Sequence, residues 1–101
     1  IVSLLRKAGA LEVHYRVTCP PFRHACHYGT DISDPDALIA NRFSTDEIAA
    51  HLGADSVGFL SLEGLLSLAG SCCTACFTGE YPVEPPTETA RDIYARPVAG
   101  P

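Results

Sequence analysis

Leu11, Val13, Tyr15 and Val17 alternate with Glu12, His14, Arg16 and Thr18 until Pro20-Pro21 ends the run. Side chains two residues apart share one face of a strand. The pattern therefore predicts a strand with one apolar face, stopped by two residues that cannot donate to a ladder. The next strand-like run, Val57–Leu60, lies about forty residues further on, with helical signals between. Strands separated by helical segments predict a crossover connection, hence α/β architecture with a parallel sheet.

The helical signals are specific. Ile1, Leu4, Leu5 and Ala8 fall at i, i+3, i+4 and i+7 and predict an apolar helix face, with Arg6 and Lys7 in the last turn and Gly9 as a stop. Asp34-Pro35 is a helix start with proline at the first position. Ser44 with Glu47 forms a capping box for a helix that turns Ile48 and Leu52 inward and ends at Gly53. Ser61 caps a further helix with the face Leu62, Leu65, Leu66 and Ala69, ended by Gly70. From Val83 to Pro101 the chain is rich in proline and poor in apolar anchors, which predicts an extended or disordered tail after a folded part at 1–82. Two strands are too few for a stable sheet. The expectation is that the other strands lie upstream, and an apolar helical pattern beginning at Ile1, with no methionine anywhere, points the same way.

The chain has 101 residues, 47% hydrophobic, with a net charge of −5 and seven scattered basic residues. A phosphate-backbone binder clusters its cations, so nucleic acid is not an expected partner. No apolar run reaches the roughly 20 residues of a membrane span. Neither a secretion signal nor an even number of cysteines is present, so the expectation is a cytoplasmic protein with free thiols rather than a disulfide framework.

Those thiols carry the chemistry. Cys73 and Cys76 are spaced so that one tight turn presents both sulfurs to one centre, and Cys26 lies upstream in the loop HACHYG. The spacing alone leaves four readings open. These are ordinary thiols, a zinc site completed by His24 or His27, an iron–sulfur site and a redox dithiol. Cys72 directly precedes Cys73 and is expected to point elsewhere. Cys19, at the strand end, reads as a small buried hydrophobe.

Several ordered stretches resemble the amidophosphoribosyltransferases. RKAGALEVHYRVTCPP is similar to the family's segment after its phosphoribosyl-pyrophosphate (PRPP) loop. HACHYGTD resembles a characteristic loop in which an aromatic usually stands where this chain has His27. STDEIAAHLGADSVGFLSLEGLL resembles the stretch that follows, and CCTACFTGEYP the C-terminal cysteine motif of the iron–sulfur subtype. The likeness runs from Ile1 to about Pro82.

The resemblance implies the C-terminal part of a type I phosphoribosyltransferase domain, a parallel sheet flanked by helices. It implies a 4Fe–4S cluster held by Cys26, Cys73 and Cys76, with a fourth cysteine upstream. It implies an enzyme that hydrolyses glutamine in one domain and passes ammonia to PRPP in another, giving 5-phosphoribosylamine at the first step of purine synthesis. Magnesium would accompany PRPP, purine nucleotides would inhibit, and the subunits would form homo-oligomers. The glutaminase nucleophile and the PRPP loop match nothing in this chain, so no catalytic residue is expected in it. Tyr28 and Tyr81 flank the cysteine motifs and are expected either to shield a metal centre or to pack a core. Among the remaining polar residues, His14 is expected on a strand face, Asp31 and Asp34 in a turn and a cap, and Asp46 and Glu47 in a first helical turn.

Overall fold

The computed structural model of the protein describes residues 1–30, 32 and 34–85. The order is α1 (Val2–Lys7), β1 (His14–Val17), a 3-10 turn (Pro35–Ala37), α2 (Ile39–Arg42), α3 (Thr45–Leu52), β2 (Ser56–Phe59), α4 (Leu62–Ala69) and α5 (Ala75–Thr78). β1 and β2 run parallel, with His14 opposite Ser56 and Val17 opposite Phe59. The expected parallel α/β arrangement is therefore present over two strands. Asp31 and most of the proline-rich tail lie outside the described residues.

The local signals act as the chemistry requires. Ser44 accepts from the Glu47 amide while the Glu47 carboxylate accepts from the Ser44 amide, so two otherwise orphaned donors of α3 are satisfied. Asp34 accepts from the Asp36 amide at 2.9 Å. Ser61 caps α4 through the Gly64 amide at 3.0 Å. α3 then lays Ile48 and Ala49 against the sheet. Ile48 is among the most buried residues here, at 4% exposure. Full burial of such a side chain contributes about 1.5 to 3 kcal/mol.

β1 is shorter than the alternating pattern, and the reason is a side chain. The Val13 amide donates to the Asp55 carboxylate at 2.7 Å, while the Asp55 amide donates to the Val13 carbonyl at 2.9 Å. This reciprocal pair closes the ladder just before His14. Leu11 precedes the closure and stands 91% exposed. The same carboxylate accepts from Arg6 at 2.7 Å, and Arg6 also donates to the carbonyls of Leu11 and Gly53. One arginine and one aspartate thus join α1, the entry to β1 and the entry to β2.

Two expected faces are corrected. Ile1, Leu4, Leu5 and Ala8 are exposed, and Val2 is the residue of α1 that is buried. Of the predicted α4 face, Leu62 and Leu65 are half-buried, whereas Leu66 and Ala69 are exposed. An apolar stripe turns inward only where another layer covers it. Among the described residues no further layer lies over these two helices. The sheet face is open too. An apolar hollow of about 530 Å³ is lined by Tyr15, Val17, Ile48, Leu52, Val57 and Phe59, among others.

The amide of Val13 and the Arg6 guanidinium hold the Asp55 carboxyl below its ordinary value of 3.8. A lowered folded-state value stabilises the fold above the unfolded value, and that contribution is lost as pH falls through the folded one. The melting midpoint is expected to fall as pH drops below about 4. Asp55→Asn is expected to melt lower than the parent at pH 7, and the gap should narrow in acid. Melting curves followed by circular dichroism across pH check both.

Candidate metal centre

The loop after β1 is turned back onto the C-terminal helix. Pro20-Pro21 stops the strand, and the amides of Arg23 and His24 both donate to the Cys76 carbonyl, at 2.9 and 3.1 Å. Phe22 and Phe77 meet with ring centroids 5.0 Å apart. Arg23 reaches the Ala40 carbonyl at 2.7 Å, and the Asn41 side chain donates to the Arg23 carbonyl at 2.8 Å. The loop is therefore held from two sides.

Aromatic hydroxyls close the arrangement. Tyr81 donates to the Ala25 carbonyl at 2.7 Å, one residue before Cys26, and Tyr28 donates to the Val83 carbonyl at 2.6 Å. The rings of Tyr28 and His27 pack against Tyr81. Burial and nearby thiolates push the Tyr81 phenol up, so at neutral pH it keeps the proton it donates. The His24 ring lies on Gly79, where a Cβ would stand only 2.9 Å from its Cε1. Gly79 also has φ of +79° and ends α5. Both loop histidines thus pack against the segment that carries the CxxC turn.

All five cysteines are free thiols; Cys26 and Cys76 are half-buried and Cys73 is exposed. The neighbouring backbone at Tyr28 and then Thr30 holds the Cys26 thiol below its ordinary value of 9.0. Cys76 moves the other way. Burial pushes its thiol up, and the negative charges of Cys26, Cys73 and Cys19 add to that push, against a hydrogen bond from its own amide. The charges of Cys26 and Cys73 thus both bear on Cys76. A set of thiolates that destabilise each other's charge is relieved by a cation placed among them.

Cys19 is the thiol that the sequence reading placed in a core. It is half-buried and is also among the groups acting on Cys76. The only sequence sign of this was its position next to the Pro20-Pro21 turn. Among the described residues, no three His, Cys, Asp or Glu side chains gather closely enough to hold a single metal ion. A tetrahedral zinc–thiolate site has metal–sulfur distances of about 2.3 Å, which requires sulfurs roughly 4 Å apart.

A second polar cluster was missed in the sequence. His14 Nδ1 lies 2.8 Å from Ser56 Oγ, and Nε2 lies 3.2 Å from the Glu12 carboxylate. The three residue types resemble a hydrolase triad, but Arg16 also donates to Ser56 Oγ at 2.9 Å, and the array is exposed. It bridges His14 and Ser56, which are opposite each other in register, and acts as a cross-strand polar ladder.

No family model matches the chain. It is 49% identical over 89 residues to the chloroplastic amidophosphoribosyltransferase of Glycine max. It is 49% identical over 92 residues to the amidophosphoribosyltransferase of Bacillus subtilis. These alignments cover 84% and 83% of this chain but only 16% and 19% of the relatives. Among solved structures, the glutamine PRPP amidotransferase of B. subtilis complexed with ADP and GMP matches with a TM-score of 0.78 and 45% identity. That match covers 91% of this chain and 22% of the other. A structure described as the allosteric regulatory enzyme of purine biosynthesis matches with the same TM-score at 44% identity, over 96% of this chain and 23% of that one. The chain thus spans less than a quarter of the proteins it matches.

Gly79→Ala is expected to destabilise α5 by about 1 to 2 kcal/mol from the left-handed backbone alone, and to push His24 off the helix end. Tyr81→Phe keeps the ring and removes one hydrogen bond, at about 1 kcal/mol. Chemical denaturation of both variants, with proteolysis after residue 78 as a local readout, checks the two effects.

Proposed function

We propose that this chain, homologous to one segment of the amidophosphoribosyltransferases, supplies the C-terminal ligands of an iron–sulfur centre in such an enzyme. The whole protein makes 5-phosphoribosylamine from PRPP and glutamine. What supports the reading is the docking of the HACHYG loop on the CxxC helix through the Cys76 carbonyl, which ties the segment that carries Cys26 to the one that carries Cys73 and Cys76. Four thiolates usually hold a cluster. Three come from this chain and one from an upstream segment.

The chain's own residues do four things here. The backbone beside Cys26 favours its thiolate relative to an ordinary thiol. Burial of Cys76 excludes water from one side. The Tyr28 and Tyr81 hydroxyls fix the loop to the chain just after the CxxC helix, at residues 81 and 83. Phe22 on Phe77 supplies apolar contact where the two segments meet. When bound, the cluster supplies covalent cross-links between distant parts of the chain, so ligation becomes folding free energy.

Glutamine hydrolysis and PRPP binding, with its magnesium, belong to residues outside this chain. Purine nucleotides bind the whole enzyme, as ADP and GMP are named with the B. subtilis structure. The whole enzyme is a homo-oligomer. It works in a reducing compartment that keeps these thiols free, the cytoplasm in a bacterial setting, whereas the Glycine max relative is named as chloroplastic. No described helix is long and apolar enough to cross a membrane.

Iron and acid-labile sulfide, with absorbance near about 400 nm, are expected in the protein matured under anaerobic conditions. Cys73→Ser should abolish them, while Cys19→Ala and Cys72→Ala should retain them. Zinc with no iron, or a Cys73→Ser variant with full iron, would overturn the ligand assignment. A turnover assay of the 101-residue chain with glutamine, PRPP and magnesium is expected to show no product.

A further inference from the structure

Cys73 and Cys76 differ in access. Cys73 is exposed on the approach to α5, whose N-cap is Thr74, and Cys76 is half-buried within the helix. An open cleft of about 560 Å³ is lined by Cys72, Cys73, Thr74 and Tyr81, among others, and Cys76 is not one of its lining residues. A small solute entering the cleft meets Cys73 but not Cys76. The two strands form a parallel pair with a helical crossover, a setting in which a C-x-x-C turn serves as a thiol–disulfide pair.

Geometry also selects the partner of Cys73. A disulfide usually needs Cα atoms about 4.4 to 6.8 Å apart. Adjacent residues are held at about 3.8 Å, so Cys72 is too close to Cys73 for an unstrained bond. Residues three apart come to about 5 Å over one helical turn, and the turn that opens α5 falls between Cys73 and Cys76. The Cys26 loop docks on Cys76 through its backbone carbonyl, so the Cys76 side chain can change partner while the loop stays in place.

We propose that Cys73 and Cys76 form a reversible disulfide in the cluster-free chain, Cys73 attacking and Cys76 resolving, and that this bond closes the metal centre until it is reduced. The co-reactant is a low-molecular-weight disulfide, RSSR. The Cys73 thiolate attacks one of its sulfurs, the S–S bond breaks, and one RS⁻ leaves to take up the proton that Cys73 released. Cys76 then attacks the Cys73 sulfur of the mixed disulfide. The bond from that sulfur to the R–S group breaks, and a second RS⁻ leaves and takes up the Cys76 proton. Two electrons pass from the cysteine pair to RSSR, which departs as two RSH. The bond withdraws two of the three thiolates assigned to the centre, because a metal is held by thiolate and not by disulfide sulfur. The effect on the centre rests on the iron–sulfur reading; the dithiol pair does not.

The test uses the whole 101-residue chain, reduced and metal-free, as the parent and as Cys72→Ala. Each is equilibrated anaerobically with glutathione and glutathione disulfide, free thiols are blocked with iodoacetamide, and the bonds are located by mass spectrometry with fragmentation. A Cys73–Cys76 bond is expected in both chains, with Cys19 and Cys26 blocked as free thiols. Cys76→Ala is expected to stop at the glutathione adduct on Cys73, and in Cys73→Ala the thiol at Cys76 should react roughly tenfold more slowly. No bond at all, a bond from Cys76 to Cys26 or Cys72, or a lasting adduct on Cys73 of the parent would overturn the proposal.

The oxidised parent is then offered ferrous iron and sulfide before and after reduction with dithiothreitol. Uptake only after reduction is expected, and uptake by the oxidised chain would overturn the closure. A Cys73–Cys76 bond in a chain that takes up no iron even when reduced would uphold the dithiol pair and sink the iron–sulfur reading instead.

Discussion

One carbonyl oxygen organises the site. The Cys76 carbonyl accepts from two successive amides, those of Arg23 and His24. That acceptor lies within the CxxC turn and those donors lie just ahead of Cys26, so the bond pair couples the two cysteine segments directly. A backbone carbonyl has two lone pairs, and both are used here between segments more than fifty residues apart. The Phe22–Phe77 contact and the Tyr81 hydroxyl reinforce the same junction. Without it the thiols of Cys26 and Cys76 would belong to separate loops, and the charges that act on Cys76 would be distant.

The rest of the fold is a frame for that junction, and a thin one. Among the described residues the buried hydrophobic ones are Val2, Val13, Ala25, Ala40, Ile48, Ala49 and Ala75, four of them alanine. Small side chains bury little area and contribute correspondingly little. Polar links therefore matter more than usual. Arg6 and Asp55 tie three segments at the start of the sheet, and Arg23 and Asn41 tie the loop to α2. The open hollow beside Tyr15 and Phe59, and the outward stripe of α1, are surfaces of the kind that a larger α/β sheet covers with further layers. This agrees with a chain that matches under a quarter of its relatives.

Helix ends were highly legible before the fold was known. Ser44 with Glu47, Ser61, Asp34 and the terminal glycines act through bonds spanning two to four residues, so the information is local. The parallel relation of the strands was legible from their separation. Faces were less so: Val2 is buried, and Leu4 and Leu5 are not. Periodicity shows that a stripe exists, but what covers it depends on a partner layer. The shortening of β1 was hidden as well, because Asp55, forty-two residues from Val13, takes the amide that would have extended the ladder.

By itself the sequence determined the inventory: which residues end helices, which segments become strands, and which soft donors are available at Cys26, Cys73 and Cys76. These follow from short-range sterics and hydrogen bonding. Only the tertiary structure decided that Cys19 joins the thiols acting on Cys76, that the Cys26 loop docks on the Cys76 carbonyl, and that both loop histidines lie against the CxxC segment. Charges and hydrogen bonds act through space, and the distance between residues 26 and 76 is set by how the loop docks, which no local pattern records.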